Sequence, residues 1–136
     1  MKKILIDSDV AVDLLVKREP FFQAAQEFFT LVEEGRVVGG VSVLAFDNIH
    51  HLVRKLNGAP GARRAVQEFR AMVQVLAVDE KIIDRALASN FPDFEDAVQY
   101  HTALEYGMEA VVTRNLRDFK RSKIPVLTPS DLLSAF

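Results

Sequence analysis

The stretch Lys3-Ile4-Leu5-Ile6-Asp7 constrains this chain more than any other. It is a short unbroken apolar run that ends abruptly in a carboxylate. A run without polar alternation reads as a strand buried on both faces, as at the centre of a parallel sheet. In open parallel sheets, ligands collect in the crevice outside the carboxyl ends of the strands. Asp7 stands at such an end, so the question becomes what else the chain brings there.

Beyond this strand, Ser8 caps a helix to about Lys17, with Val10, Leu14 and Leu15 at helical spacing. A second helix runs from about Phe21 to Glu34 and stops at Gly35. Val37 to Val41 is a second strand, and its Gly39-Gly40 pair leaves room for a backbone or a ligand. Ser42 opens a helix to Asn57, whose Ala45, Ile49, Leu52, Val53 and Leu56 share one sector. Pro60 opens another helix to about Met72, and Val73 to Val78 is a third strand. Asp79 caps a short helix to Ala88, and Pro92 or Asp93 starts one that stops at Gly107. Ala110 to Thr113 and Pro125 to Thr128 are the last strands, followed by a helix from Pro129. Strands alternating with helices imply right-handed βαβ crossovers. The fold class is therefore α/β, a three-layer α/β/α domain over residues 1–136 with a central parallel sheet of four to five strands.

The 136 residues suffice for one domain and are too few for two. No apolar run approaches the length of a membrane span, and no basic-then-apolar leader opens the chain, which argues against membrane insertion and Sec export. The absence of cysteine excludes disulfides and thiolate metal sites and fits a cytoplasmic protein. Net charge is −2, so there is no overall basic footprint of a dedicated nucleic-acid binder. Local basic clusters occur at Arg54-Lys55, Arg63-Arg64 and between Arg114 and Lys123.

Acids concentrate where the strands end. The first strand delivers Asp7, with Asp9 two residues on; the fourth delivers Thr113-Arg114-Asn115 and then Asp118. Asp93, Glu95 and Asp96 occupy the first turn of one helix, where the helix dipole favours carboxylates. On that helix Ala97, His101 and Leu104 mark the buried sector, Asp96 lies at its edge and Glu95 faces solvent. Hard oxygen ligands without cysteine or paired histidines suit Mg2+ or Mn2+ rather than zinc. Carboxylates converging from distant parts of a chain are how metal-dependent phosphodiester hydrolysis is built. His50 and His51 diverge as neighbours on a helix, His101 reads as a core-edge histidine, and Asp13 reads as an exposed helix acid.

The ordered segments Ile4-Leu5-Ile6-Asp7-Ser8-Asp9, Val41-Ser42-Val43-Leu44-Ala45-Phe46-Asp47-Asn48-Ile49, Phe94-Glu95-Asp96-Ala97 and Val112-Thr113-Arg114-Asn115-Leu116-Arg117-Asp118-Phe119 resemble a PIN domain. The likeness covers nearly the whole chain and extends to single-domain VapC-type toxins. It implies a metal-dependent endoribonuclease acting on RNA with Mg2+ or Mn2+, a homodimer, and a small antitoxin partner. By position, Asp7, Asp96 and Asp118 would be the metal ligands, with Asn48 and Asn115 as further catalytic residues that orient water or phosphate. Thr113, Arg114 and Arg117 would meet nucleic acid, Thr113 and Asn115 also serving as polar supports. Asp9, Asp93 and Ser42 would be accessory.

One departure matters. Many PIN nucleases carry Glu six residues after the serine matching Ser42, and this chain has Asn48. The adjacent Asp47 does not substitute in this reading, because one residue rotates a side chain by about 100° and turns it away from the apolar sector. A PIN fold that binds nucleic acid or protein without useful catalysis is therefore the alternative. A phosphate-binding receiver-like domain would want a lysine ending a late strand, and Lys123 comes too far past Thr113.

Overall fold

The computed structural model describes residues 2–136. Its elements are β1 (Lys2–Ile6), α1 (Ser8–Leu15), α2 (Phe22–Glu33), β2 (Val37–Ser42), α3 (Val43–Asn57), α4 (Ala59–Arg70), β3 (Gln74–Leu76), α5 (Glu80–Ala88), α6 (Phe94–Glu105), β4 (Ala110–Val112), a 3₁₀ helix (Leu116–Phe119), β5 (Val126–Leu127) and α7 (Pro129–Leu133). The five strands form one all-parallel sheet in the order β3-β2-β1-β4-β5. The chain works outward from β1 to β3, then returns to the other side of β1 for β4. The point where the direction reverses lies between β1 and β4, which is where such sheets open a crevice.

β1 is buried on both faces, as its unbroken apolar run requires. Ile4 and Ile6 enter a large core with α1 to α4 and α7, whereas Leu5 faces Tyr100, Ala103, Met108 and Val111 on the opposite side. Helices α5 and α6 close that second side through Ile82, Ala86, Ala97 and Val98. The sheet is thus the middle of three layers.

Several local expectations need correction. Ser8 is the first residue of α1, and the cap is Asp7, whose side chain accepts from the Ser8 amide. The Gly39-Gly40 pair admits neither backbone nor ligand. A Cβ at Gly39 would stand 2.6 Å from Ile6 Cδ1, and one at Gly40 would stand 2.8 Å from Met108 Cε. The glycines let core side chains from both layers reach the sheet. On α3 the buried stripe is Ala45, Ile49 and Val53, while Leu56 is exposed. On α6 Leu104 is exposed, His101 is half-buried as a core-edge histidine should be, and Ala97, Val98, Tyr100, Thr102 and Ala103 are buried. That helix lies between the sheet and α5, so it is covered on two sides and has no single apolar stripe. Among the described residues, no helix is long and apolar enough to cross a membrane.

Candidate active site

The crevice between β1 and β4 opens into a cavity of about 570 Å³ bordered by Asp7, Asp9, Asp96, Asp118, Asn115 and Asn48. Each acid arrives from a different element. The Asp7 amide donates to the Val112 carbonyl at 3.0 Å, which ties the ends of β1 and β4 together. Asp9 lies in the first turn of α1, Asp96 in the first turn of α6, and Asp118 in the 3₁₀ helix after β4.

Asp7 is held on every side. Its Oδ1 accepts from the Ser8 amide at 2.8 Å and from Gln99 Nε2 at 3.4 Å, and its Oδ2 accepts from Thr113 Oγ1 at 2.8 Å. Gln99 is in turn oriented by Ser42, whose hydroxyl donates to Gln99 Oε1 at 2.6 Å while accepting from the Ala45 amide. Asp9 Oδ2 accepts from the Arg114 amide at 3.0 Å and from Asn115 Nδ2 at 3.3 Å. Asp93 caps α6 by accepting from the Glu95 amide.

The electrostatics are those of acids crowded into a poorly solvated place. Burial pushes Asp7 above its ordinary carboxylate range, against the lowering effect of its hydrogen bonds to Thr113, Ser8 and Gln99. Burial, followed by the Asp7 charge, raises Asp9 to about 6. Burial and then the charges of Asp93, Asp7 and Asp118 raise Asp96 to about 8. Asp9 Oδ1 and Asp96 Oδ2 are buried and without hydrogen-bond partners. Buried acceptors of this kind are expensive to leave unmatched.

These orphaned oxygens, and acids that ionise reluctantly as they stand, fit a hard divalent cation. Among the described residues no three Asp, Glu, His or Cys side chains are grouped closely enough to hold a metal ion by themselves. Mg2+ commonly takes one or two carboxylates and completes its shell with water and substrate phosphate, so an open arrangement is compatible with it. Asp7 and Asp96 could contribute carboxylates to such an ion, and Asp9 and Asp118 border the same cavity.

The other expected site residues fall in three groups. Asn48, Asn115, Asp118 and Asp93 line the cavity. Asp47, expected to turn away, also borders it at the α3 wall, as do His50 and His51. Arg117 is exposed on the 3₁₀ helix. Ser42 and Thr113 are completely buried and spend their hydroxyls on Gln99 and Asp7. Thr113 therefore supports an acid rather than meeting nucleic acid.

Arg114 also departs from a phosphate-contact role. Its Nε and Nη2 donate to the Asp13 carboxylate at 2.6 and 3.2 Å, and its guanidinium lies 3.8 Å from the Phe21 ring centre. Asp13 is 1% exposed rather than solvent-facing, and Arg18 approaches it at 3.6 Å. Through this pair α1 grips the segment after β4, and the same Arg114 donates its amide to Asp9. Gln99 is the other residue that reading the chain missed. It lies three positions after Asp96, hence on the same face of the helix, and that spacing is the signal the sequence offers.

The family profile described as PIN domain matches residues 3–117. No curated protein matches the chain. Among solved structures it is similar to DNA-bound VapBC from Salmonella typhimurium (19% identity, 95% of this chain and 99% of that one, TM-score 0.72). It is also similar to a toxin-antitoxin complex from Klebsiella pneumoniae (22% identity, 93% and 97%, TM-score 0.69). A third is Mycobacterium tuberculosis VapC20, a sarcin-ricin loop cleaving toxin (16% identity, 79% and 86%, TM-score 0.65). At these identities the structural likeness shows the fold, and the profile match shows the family. The chain belongs to the PIN domain family.

Proposed function

We propose that this chain is a Mg2+- or Mn2+-dependent endoribonuclease and the toxin of a toxin–antitoxin pair. The observation that carries the reading is the convergence of Asp7, Asp9, Asp96 and Asp118 on one cavity, two of them with unmatched buried oxygens. When bound, divalent ions supply an activated water and offset charge on the scissile phosphate and the leaving oxygen. Asp7 and Asp96 hold the metal, with Asp118 closing the site from the 3₁₀ helix. Thr113, Gln99 and the Ser8 amide fix the Asp7 carboxylate, so that its lone pairs point one way before substrate arrives. Asn115 and Asn48, which border the same cavity, orient water or phosphate. RNA is the substrate, by family resemblance and by the similarity to VapC20. A small antitoxin partner is supported by the similarity to toxin-antitoxin complexes, and a homodimer by the family resemblance alone.

The test is cleavage of single-stranded RNA by the purified chain with Mn2+, Mg2+ or EDTA. Activity with either metal, abolished by EDTA and by Asp7→Asn, is the expected outcome. Cleavage that survives both treatments would refute the proposal. A second reading, a PIN fold that binds without useful catalysis, is favoured by Asn48 standing where Glu is common. RNA binding without metal-dependent cleavage, and no gain on Asn48→Glu, supports that second reading; a rise in rate on Asn48→Glu identifies the missing carboxylate as limiting.

A further inference from the structure

Beside the acid cavity lies a second concavity of about 650 Å³, between α3 and α4, and its charge is of the opposite sign. His50 and Arg54 line it from α3, and Pro60, Arg63, Arg64 and Gln67 from α4. The α4 residues recur at i, i+3, i+4 and i+7, one continuous stripe opposite the buried Ala62, Val66 and Phe69. Among the described residues no carboxylate lines this groove.

Its arginines are also uncommitted. Arg18 and Arg114 pair with Asp13, Arg36 with Glu34, and Arg85 with Glu105. Among the described residues Arg54, Arg63 and Arg64 pair with no acid, although Glu68 lies one turn beyond Arg64 on the same helix. Three guanidinium groups with free donors along a concave wall make a surface for successive anionic oxygens.

The groove runs into the acid cavity, because His50 and Arg54 border both. Arg54 is about 9 Å beyond Asn48 along the α3 axis, at the usual rise per residue. On a chain of net charge −2, an anion cannot be drawn in by the whole protein's field and needs a local basic track. The carboxylates repel phosphate wherever they are not offset by metal, so a polyanion must be held beside them rather than by them.

We infer that the α3–α4 groove is the path of the RNA strand on one side of the cleaved bond, held through its phosphates by Arg54, Arg63 and Arg64. The inference rests on the nuclease reading for the identity of the polyanion, and it adds where that substrate lies. Phosphate contacts carry most of the affinity and little sequence information, so this track fixes the strand's position and leaves sequence choice to other surfaces.

The experiment compares wild type with Arg63→Ala/Arg64→Ala, both exposed and outside the acid cavity. An unchanged melting temperature is the fold control. Binding of a fluorescein-labelled oligouridylate, read by anisotropy in EDTA, is expected to weaken about 10-fold, and its salt slope to fall by about 1.4, since each single-strand phosphate contact contributes about 0.7. With Mn2+, KM for a long RNA is expected to rise while kcat holds, and cleavage of a dinucleotide too short to reach the groove is expected not to change.

Unchanged affinity and salt slope would overturn the inference, and if the wild type still cleaves RNA, the nuclease reading survives that failure. Conversely, a weakened, less salt-dependent RNA complex in a protein that cleaves RNA with neither Mn2+ nor Mg2+ supports the groove and sinks the nuclease reading. Unchanged RNA binding with weakened binding of a polyglutamate peptide assigns the groove to an acidic protein segment, which also overturns it.

Discussion

Thr113 Oγ1 donates to Asp7 Oδ2 at 2.8 Å, across 106 positions of sequence. Thr113 is completely buried at the end of β4, and its oxygen also accepts from the Asn115 amide. The bond favours the ionised form of Asp7 against the burial that raises it. Thr113→Val keeps the shape and deletes the donor. Metal affinity and kcat/KM are each expected to fall about 10- to 100-fold, the usual cost of removing a group that orients a ligand. The acid limb of the pH–rate profile should move to higher pH, while Thr113→Ser restores both. An unmoved acid limb would show that the hydroxyl does not hold the carboxylate.

Asp13 and Arg114 are expected to matter for stability as well as for the site. Arg114→Ala leaves a carboxylate that is 1% exposed with only Arg18 nearby, at 3.6 Å. Breaking a buried pair from one side costs about 3–5 kcal/mol, whereas replacing both members with apolar residues is often close to neutral. Urea unfolding should therefore show Asp13→Leu/Arg114→Met to be more stable than Arg114→Ala alone. Equal stabilities would mean that the pair is solvated in solution.

The roles of these two residues also show where reading the chain reached its limit. The order of elements and the parallel sheet follow from periodicity, caps and strand ends, which are local, whereas the meeting of Asp7 with the segment after β4 is what the PIN resemblance implies. Asp13 looked like an ordinary helix acid because its partner lies 101 residues away, and no helical angle reports a contact of that span. Arg114 looked free for the same reason. The error on α6 has a different origin: an angular sector presumes one covered face, and that helix has two. Helical angle separates Asp47 from Asn48, yet a broad cavity takes in both.

The acids also dictate a pH dependence of stability. Asp9 at about 6 and Asp96 at about 8 both lie above the 3.8 of an ordinary aspartate. The folded chain then binds protons more tightly than the unfolded one, so the stabilisation is complete below about pH 3.8 and is lost as pH rises through about 6 and then about 8. The melting temperature of the metal-free protein is expected to fall between about pH 5 and about pH 8.5 for these groups. Saturating Mn2+ should reverse the fall, since it binds the folded, ionised acids. A metal-free melting temperature that rises over this range would contradict the assigned burial of Asp9 and Asp96.

The most direct measurement is the anomalous difference map of a crystal of the chain soaked in Mn2+. A peak between Asp7 and Asp96, with Asp118 and Asn48 facing the same ion through water, is the expected result, and it should vanish in Asp7→Asn. A map with no manganese between Asp7 and Asp96 would contradict the site on which the nuclease reading stands.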